Sequence, residues 1–363
     1  MKRSLFIISF IIISINLLAQ HRADRQSLTD QDAFTMILLG DPQGYIKYDL
    51  NQPIFDLCTA WISDNIDNLN IKAVLCTGDL VEQNENIVRN RNMLNQTSGE
   101  MWEAVSKSFS RLDNKVPYLS SLGNHDYGYK SSENGMTRFN DYFPFERNSA
   151  WREIVVDAIP NRNGIPTLEN AAFEITGPNW DKILVITSEY QPRDVVLEWA
   201  KNLSGSEKYK NHKIIFMTHA FLGSGQGENA KRLDSGGKTL EGNTGVQIWD
   251  KLLKDSNNIH LVICGHVANG NGEFADNVGY RSDRSNTNTT IHQMMFNVQT
   301  LGGGWEGNGG DGWLRILEFM PDGKTIKVRT YSPFFGISPS TKHLAKREAP
   351  FDQFDIVLDD NNN

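Results

Sequence analysis

The chain is poor in cysteine. Its 363 residues contain three, Cys58, Cys76 and Cys264, and no Cys-x-x-Cys pair, so a disulfide scaffold is excluded. Cys76 and Cys264 end the apolar runs Ala73–Cys76 and His260–Cys264, and Cys58 lies in a helical pattern. All three read as small buried side chains. Excess positive charge is also missing: 36 Lys and Arg face 44 Asp and Glu, a formal net charge of −8. That removes the general basic field on which nucleic-acid binding depends. Internal repeats are absent, and no linker-like stretch divides the sequence. The balance of 39% apolar, 22% charged and 10% aromatic residues is that of a globular protein and excludes wholesale disorder or a coiled coil.

Long apolar runs occur only at the amino terminus. Lys2 and Arg3 precede an apolar stretch from Leu5 to Leu18, followed by Ala19, Gln20 and the polar segment His21–Arg25. A basic start, a short apolar stretch and a small residue at its end form a secretory signal. The run is shorter than the roughly 20 residues of a membrane span. Residues 1–20 are therefore expected to be removed, leaving a secreted or periplasmic protein without a membrane span. A single domain is expected over residues 30–358, and residues 359–363 form a polar tail.

The pattern then alternates. Strand-like runs occupy Thr35–Leu39, Ala73–Cys76, Val116–Leu119, Ile183–Thr187, Ile214–Met217 and His260–Cys264. Helical spacing marks Pro53–Asn68, Met101–Leu112, Val195–Leu203 and the shorter Gln247–Leu253. This alternation predicts an α/β core. Near the end, Trp313–Met320 and Thr325–Thr330 flank Pro321-Asp322-Gly323-Lys324, the pattern of a β-hairpin.

Chemistry gathers just past the strand-like runs. Asp41-Pro42-Gln43, Gly78-Asp79, Gly123-Asn124-His125-Asp126, Thr218-His219 and Gly265-His266 each follow one. These are the loops in which α/β folds place ligand-binding residues. Carboxylates, an amide and imidazoles form a donor set that suits Mn, Fe or Zn better than a thiolate-seeking metal.

These five motifs, in this order over Thr35–Val267, resemble the calcineurin-like metallophosphoesterases, in a branch whose first motif reads Asp-Pro-Gln. The resemblance implies a four-layer α/β/β/α sandwich with two mixed β-sheets. It implies two divalent metal ions, with Asp79 bridging them, Asp41 and Gln43 at the first, and Asn124, His219 and His266 at the second. His125 would face the substrate, with Asp126 holding it. The implied reaction is hydrolysis of a phosphate mono- or diester by attack of a metal-bound hydroxide, with His125 assisting the leaving group. Two positions depart from the family pattern. Gln43 stands where His is usual in the first motif, and Ala268 where the last motif usually ends in His. Both losses fall on the first metal, so one firm and one depleted site are expected, with Asn269, His292 or Asp311 as candidate replacements. A secreted phosphate- or polyanion-binding protein with a degraded metal site is the competing reading.

Other features are weaker. Leu301–Trp313 is glycine-dense but lacks a Gly-Lys-Ser/Thr ending and precedes a strand, which excludes a phosphate loop. It is either a connection or a loop that brings Trp305 or Trp313 over the substrate. Glu82 reads as a ligand-orienting or solvated acid. Arg281 and Arg284, shortly after the last motif, are candidates for pairing with a phosphate.

Overall fold

The computed structural model describes residues 26–88, 95–180, 182–235 and 240–359. The expected signal segment and residues 360–363 lie outside these. In chain order the strands are β1 (Phe34–Leu39), β2 (Ile71–Cys76), β3 (Tyr118–Ser120), β4 (Val155–Ala158), β5 (Ala171–Thr176), β6 (Lys182–Thr187), β7 (Lys213–Met217) and β8 (Gly225–Gln226). They continue with β9 (Ile259–Cys264), β10 (Val278–Arg284), β11 (Thr290–Phe296), β12 (Leu314–Phe319), β13 (Thr325–Tyr331), β14 (Lys346–Arg347) and β15 (Phe354–Val357). The principal helices are α1 (Gln52–Asn65), α2 (Ser98–Phe109) and α3 (Asp194–Ser204).

Two mixed sheets result. The first has the order β14-β13-β12-β1-β2-β3, with β15 also pairing with β13, and β1, β2 and β3 are parallel. The hairpin expected near the end of the chain is β12–β13, and it joins this sheet by pairing β12 antiparallel with β1, Ile37 opposite Ile316. The second sheet has the order β4-β5-β6-β7-β9-β11-β10-β8, with β6, β7, β9 and β11 parallel.

Residue alternation explains the layers. On β6, Ile183 and Val185 enter one apolar cluster while Leu184 and Ile186 enter another. Successive side chains of a strand point to opposite faces, so both faces of the second sheet are covered. The larger cluster fills the space between the sheets, joining Ile37, Val74 and Leu317 to Phe173, Ile215 and Ile263. The smaller one buries the outer face of the second sheet against Leu197 and Ala200 of α3 and Ile248 and Leu252. On the first sheet, α1 and α2 pack through Phe55, Phe109 and the β3 residue Tyr118, with ring centroids 5.6 and 4.9 Å apart.

The helices keep local sequence logic. Thr97 and Glu100 close a capping box at the start of α2. Pro53 sits in the first turn of α1. This helix stops at Asn65 rather than Asn68, and the chain turns into β2 through Asn70, which takes a φ of +46°. The exits of β1, β2, β3, β7 and β9 carry the five polar motifs.

Candidate metal centre

Thr77 sits at the exit of β2 and orders the site from below. Its hydroxyl donates to Asp41 Oδ1 at 2.6 Å, and its carbonyl lies 2.9 Å from Nδ1 of His219. A carbonyl only accepts, so Nδ1 of His219 carries a proton, and it is in the neutral form of the ring, the form that binds a cation, that Nε2 presents a lone pair. That Nε2 lies 3.1 Å from Asn124 Oδ1, 3.2 Å from Asp79 Oδ2 and 3.2 Å from His266 Nδ1. Asn124 Oδ1 is also 2.9 Å from His266 Nδ1, and its amide Nδ2 donates to Ser131 Oγ at 2.9 Å, which turns the oxygen inward.

Four potential ligand atoms therefore converge within 2.9–3.2 Å along these edges. Asp79, His219 and His266 also offer ligand atoms within 4.8 Å of one another. Donors about 2.0–2.1 Å from a tetrahedral ion stand about 3.3 Å apart, so this spacing fits a divalent cation. The backbone is strained at two of the four residues. Asp79 and His266 take φ of +50° and +71°, conformations that non-glycine residues adopt mainly where the surroundings impose them.

Asp41 borders this cluster. Its Oδ2 accepts from the main-chain N–H of His266 at 2.9 Å and from Asn297 Nδ2 at 2.6 Å. Burial pushes its carboxyl up to about 7, with His219 opposing and Asp79 reinforcing. Burial acts on Asp79 in the same upward sense, but His219 and His125 hold that carboxyl well below the usual range. The imidazoles diverge too. Burial lowers both, yet Asp79 and Asp41 bring His219 up to about 9, while His266, facing His219, is pushed down to about 4. Two loop glycines are obligatory. A Cβ at Gly123 would overlap the Asp79 carboxylate, and one at Gly265 would overlap that of Asp41.

Asp41, Asp79, Asn124, His219 and His266 thus come together. Gln43 is adjacent: its main-chain N–H donates to the Asp79 carbonyl at 3.0 Å, and its Nε2 donates to Gln299 Oε1 at 2.6 Å. Its Oε1 is buried without a hydrogen-bond partner, an orphaned oxygen of the kind that takes a cation. His125 donates its main-chain N–H to Asp79 Oδ1 at 2.9 Å, and its Nδ1 faces the Glu82 carbonyl at 2.7 Å, leaving Nε2 free of that contact.

Asp126 has a different task from the one expected. It accepts the N–H groups of Gly123, Leu80 and Val81 at 2.8, 2.8 and 3.3 Å, tying the β2 and β3 exit loops together. The ring of His125 is held by Glu82 instead. The side chain of Glu82 lies 3.7 Å from the ammonium of Lys47, a buried cation four residues past Gln43.

The candidate replacements for the lost histidines are engaged in other hydrogen bonds. Asn269 is bonded to Asn277, Asn271 and Thr300, His292 to Tyr280 and the Val357 carbonyl, and Asp311 to Asn308. Asn297 and Gln299 are the residues that reach Asp41 and Gln43. They follow β11 as the other motifs follow their strands, so a sequence reading that had marked Thr290–Phe296 as a strand would have flagged them. The arginines are committed to structure: Arg281 pairs with Asp283 at 2.7 Å, and Arg284 with Asp359 at 3.2 Å.

Residues 34–270 match the family described as calcineurin-like phosphoesterase. The chain belongs to this family. The curated protein YvnB of Bacillus subtilis (strain 168), itself uncharacterized, is 27% identical over 334 residues, or 91% of this chain. This chain spans 22% of that relative's length. Among solved structures, GAP50, described as the anchor in the inner membrane complex of Plasmodium, aligns with a TM-score of 0.46 at 12% identity, covering 91% of this chain and 90% of its own. A structure of PhoD aligns with a TM-score of 0.43 at 11% identity, covering 84% and 67%. No helix among the described residues is long and apolar enough to cross a membrane.

Proposed function

We propose that the chain is an exported, metal-dependent hydrolase of phosphate mono- or diesters. The observation that carries this reading is the convergence of Asp79, Asn124, His219 and His266, with the tautomer of His219 fixed by Thr77. Asp79 would be shared with a second position made by Asp41 and Gln43. Divalent cations of the Mn, Fe or Zn class held there would supply Lewis acidity toward phosphate oxygens and lower the pKa of water in the site. The protein's own part is to hold these donors in place, and to offer Nε2 of His125 for proton transfer to the departing oxygen. Export rests on the sequence of residues 1–20.

The test is a hydrolysis screen of the full chain, stripped and reloaded with Mn, Fe, Zn, Mg or Ca, against phosphomonoesters and diesters. Turnover with at least one metal, abolished by Asp79→Asn together with loss of bound ion, is the expected outcome. Tight phosphate binding without turnover would instead support the binding-protein reading. That reading is favoured by one observation, the amide of Asn297 lying on Asp41 Oδ2 at the position where histidines are lost.

A further inference from the structure

The glycine-dense stretch carries two tryptophans, and the fold treats them differently. Trp313 is 6% exposed, packed on Phe274 and Phe335 and faced by the guanidinium of Arg347. Trp305 is 48% exposed. The segment leading to it begins as a wall of the metal centre, with Asn297 on Asp41 and Gln299 on Gln43. It is then pinned to both flanking motifs. Thr300 Oγ1 donates to the carbonyl of Asn269, three residues past His266, at 2.7 Å. Asn51 Nδ2 donates to the carbonyls of Gly307 and Gly44 at 2.8 and 3.3 Å, and the backbone of Gly309 lies against Gly44. Inside the loop, Asn308 Nδ2 donates to Asp311 Oδ1 at 2.6 Å. The indole itself lies over Gly270, where a Cβ would come within 2.8 Å of Nε1. The neighbouring Glu306 is near enough to Tyr48 to reinforce the upward push of burial on its hydroxyl.

The loop is therefore pinned at the rim between the first and last motifs, and the indole of Trp305 is left half in solvent. Such an indole offers a rigid flat face at little entropic cost. We propose that Trp305 is a specificity-determining residue on which a flat ring in the organic part of the phosphoester stacks while its phosphate is held at the metal centre. The proposal rests on the phosphoesterase reading for the identity of the anionic group.

The test is calorimetric binding of phenylphosphonate and methylphosphonate to the full chain loaded with Mn²⁺. Neither probe can be hydrolysed as an ester. The wild type should prefer the phenyl compound by roughly tenfold, within the range of ring stacking on aromatic side chains. Trp305→Ala should lose that preference with methylphosphonate affinity unchanged, and Trp305→Phe should keep most of it. A wild type indifferent to the ring, or a Trp305→Ala variant that retains the preference, overturns the proposal. Hydrolysis separates the two readings. Absence of turnover with the phenyl preference intact would remove the enzymatic reading and leave the platform standing. Turnover with a preference indifferent to Trp305 would do the reverse. A wild type that binds neither phosphonate overturns the platform, and turnover alone then decides the enzymatic reading.

Discussion

At the scale of single residues, the site is a set of decisions about which atom faces inward. His125 shows this well. The Glu82 carbonyl takes its Nδ1–H, so the nitrogen left to exchange a proton with a substrate is Nε2. A positioned imidazole contributes about 10²–10⁴-fold when the leaving group is a poor one. It contributes little when a nitrophenolate departs as an anion unaided. His125→Ala should therefore slow alkyl phosphoesters by roughly that factor and nitrophenyl esters far less, with metal content unchanged. The comparison is made on kcat/KM under conditions where chemistry limits both substrates. Equal slowing of both would make His125 a residue that binds phosphate, not one that protonates the leaving group.

At the scale of elements, the strands that carry the polar motifs were legible in the sequence because each is a continuous apolar run closed by such a motif. β1, β2, β3, β7 and β9 lie where the runs lay, within two residues at each end. β3 itself begins at Tyr118, two residues late, since Val116 closes the turn after α2 through its N–H bond to Leu112. The missed strands have other patterns. In β10, Val278 and Gly279 give way to Tyr280-Arg281-Ser282-Asp283-Arg284, a polar edge that periodicity does not mark as sheet. With its partner β11 overlooked, Asn297 and Gln299 were overlooked as well. Asp126 was misread for a related reason: a sequence shows it beside His125, whereas its partners, the amides of Leu80 and Val81, are brought to it only by the pairing of β2 with β3. The polar edge of β10 has its own electrostatics. Asp283 is held by Arg281, by Arg232 at 2.5 Å and by Gln293 Nε2 at 2.8 Å. Burial tends to raise its carboxyl, but these partners leave it below the ordinary value of 3.8. A depressed carboxylate adds stability that is present above the unfolded pKa and is lost as pH falls through the lower folded one. Asp283→Asn should cost about 1–2 kcal/mol at pH 7, less than a fully buried pair because these side chains are partly solvated. The gap from wild type should close as pH drops below about 3.8, the unfolded value. Denaturant melts of both proteins between pH 2.5 and 7 check this, and a gap that stays constant through the acid range would assign the loss to packing.

At the scale of the whole molecule, the centre is where the two sheets meet in chemistry as well as in packing. Asp41, Asp79 and Asn124 leave strands of the first sheet, and His219 and His266 leave strands of the second. The apolar cluster between the sheets gives general adhesion, but it has no means of setting carboxylates and imidazoles to 3 Å spacing. The hydrogen bonds that cross from sheet to sheet at the exits do this: Thr77 carbonyl to His219, His266 N–H to Asp41, Asn297 to Asp41. An ion held by these residues would bind only when both sheets are in register, and so would favour the folded state by mass action. At a free metal concentration 100 times its Kd, that linkage is worth about 2.7 kcal/mol. For a domain of this size each kcal/mol moves Tm by roughly 2–4 °C at most. Chelation should therefore lower the Tm of the full chain by several degrees, and manganese or zinc should restore it. His219→Ala and Asp79→Asn, which each remove a donor at the junction, should show a Tm that no longer responds to metal. The control is Asp283→Asn, a change on β10, which should lower Tm and keep the metal response in full. A wild-type Tm indifferent to chelation, with no ion recovered from the protein, would leave the junction to hydrogen bonding alone and remove the metal from the account.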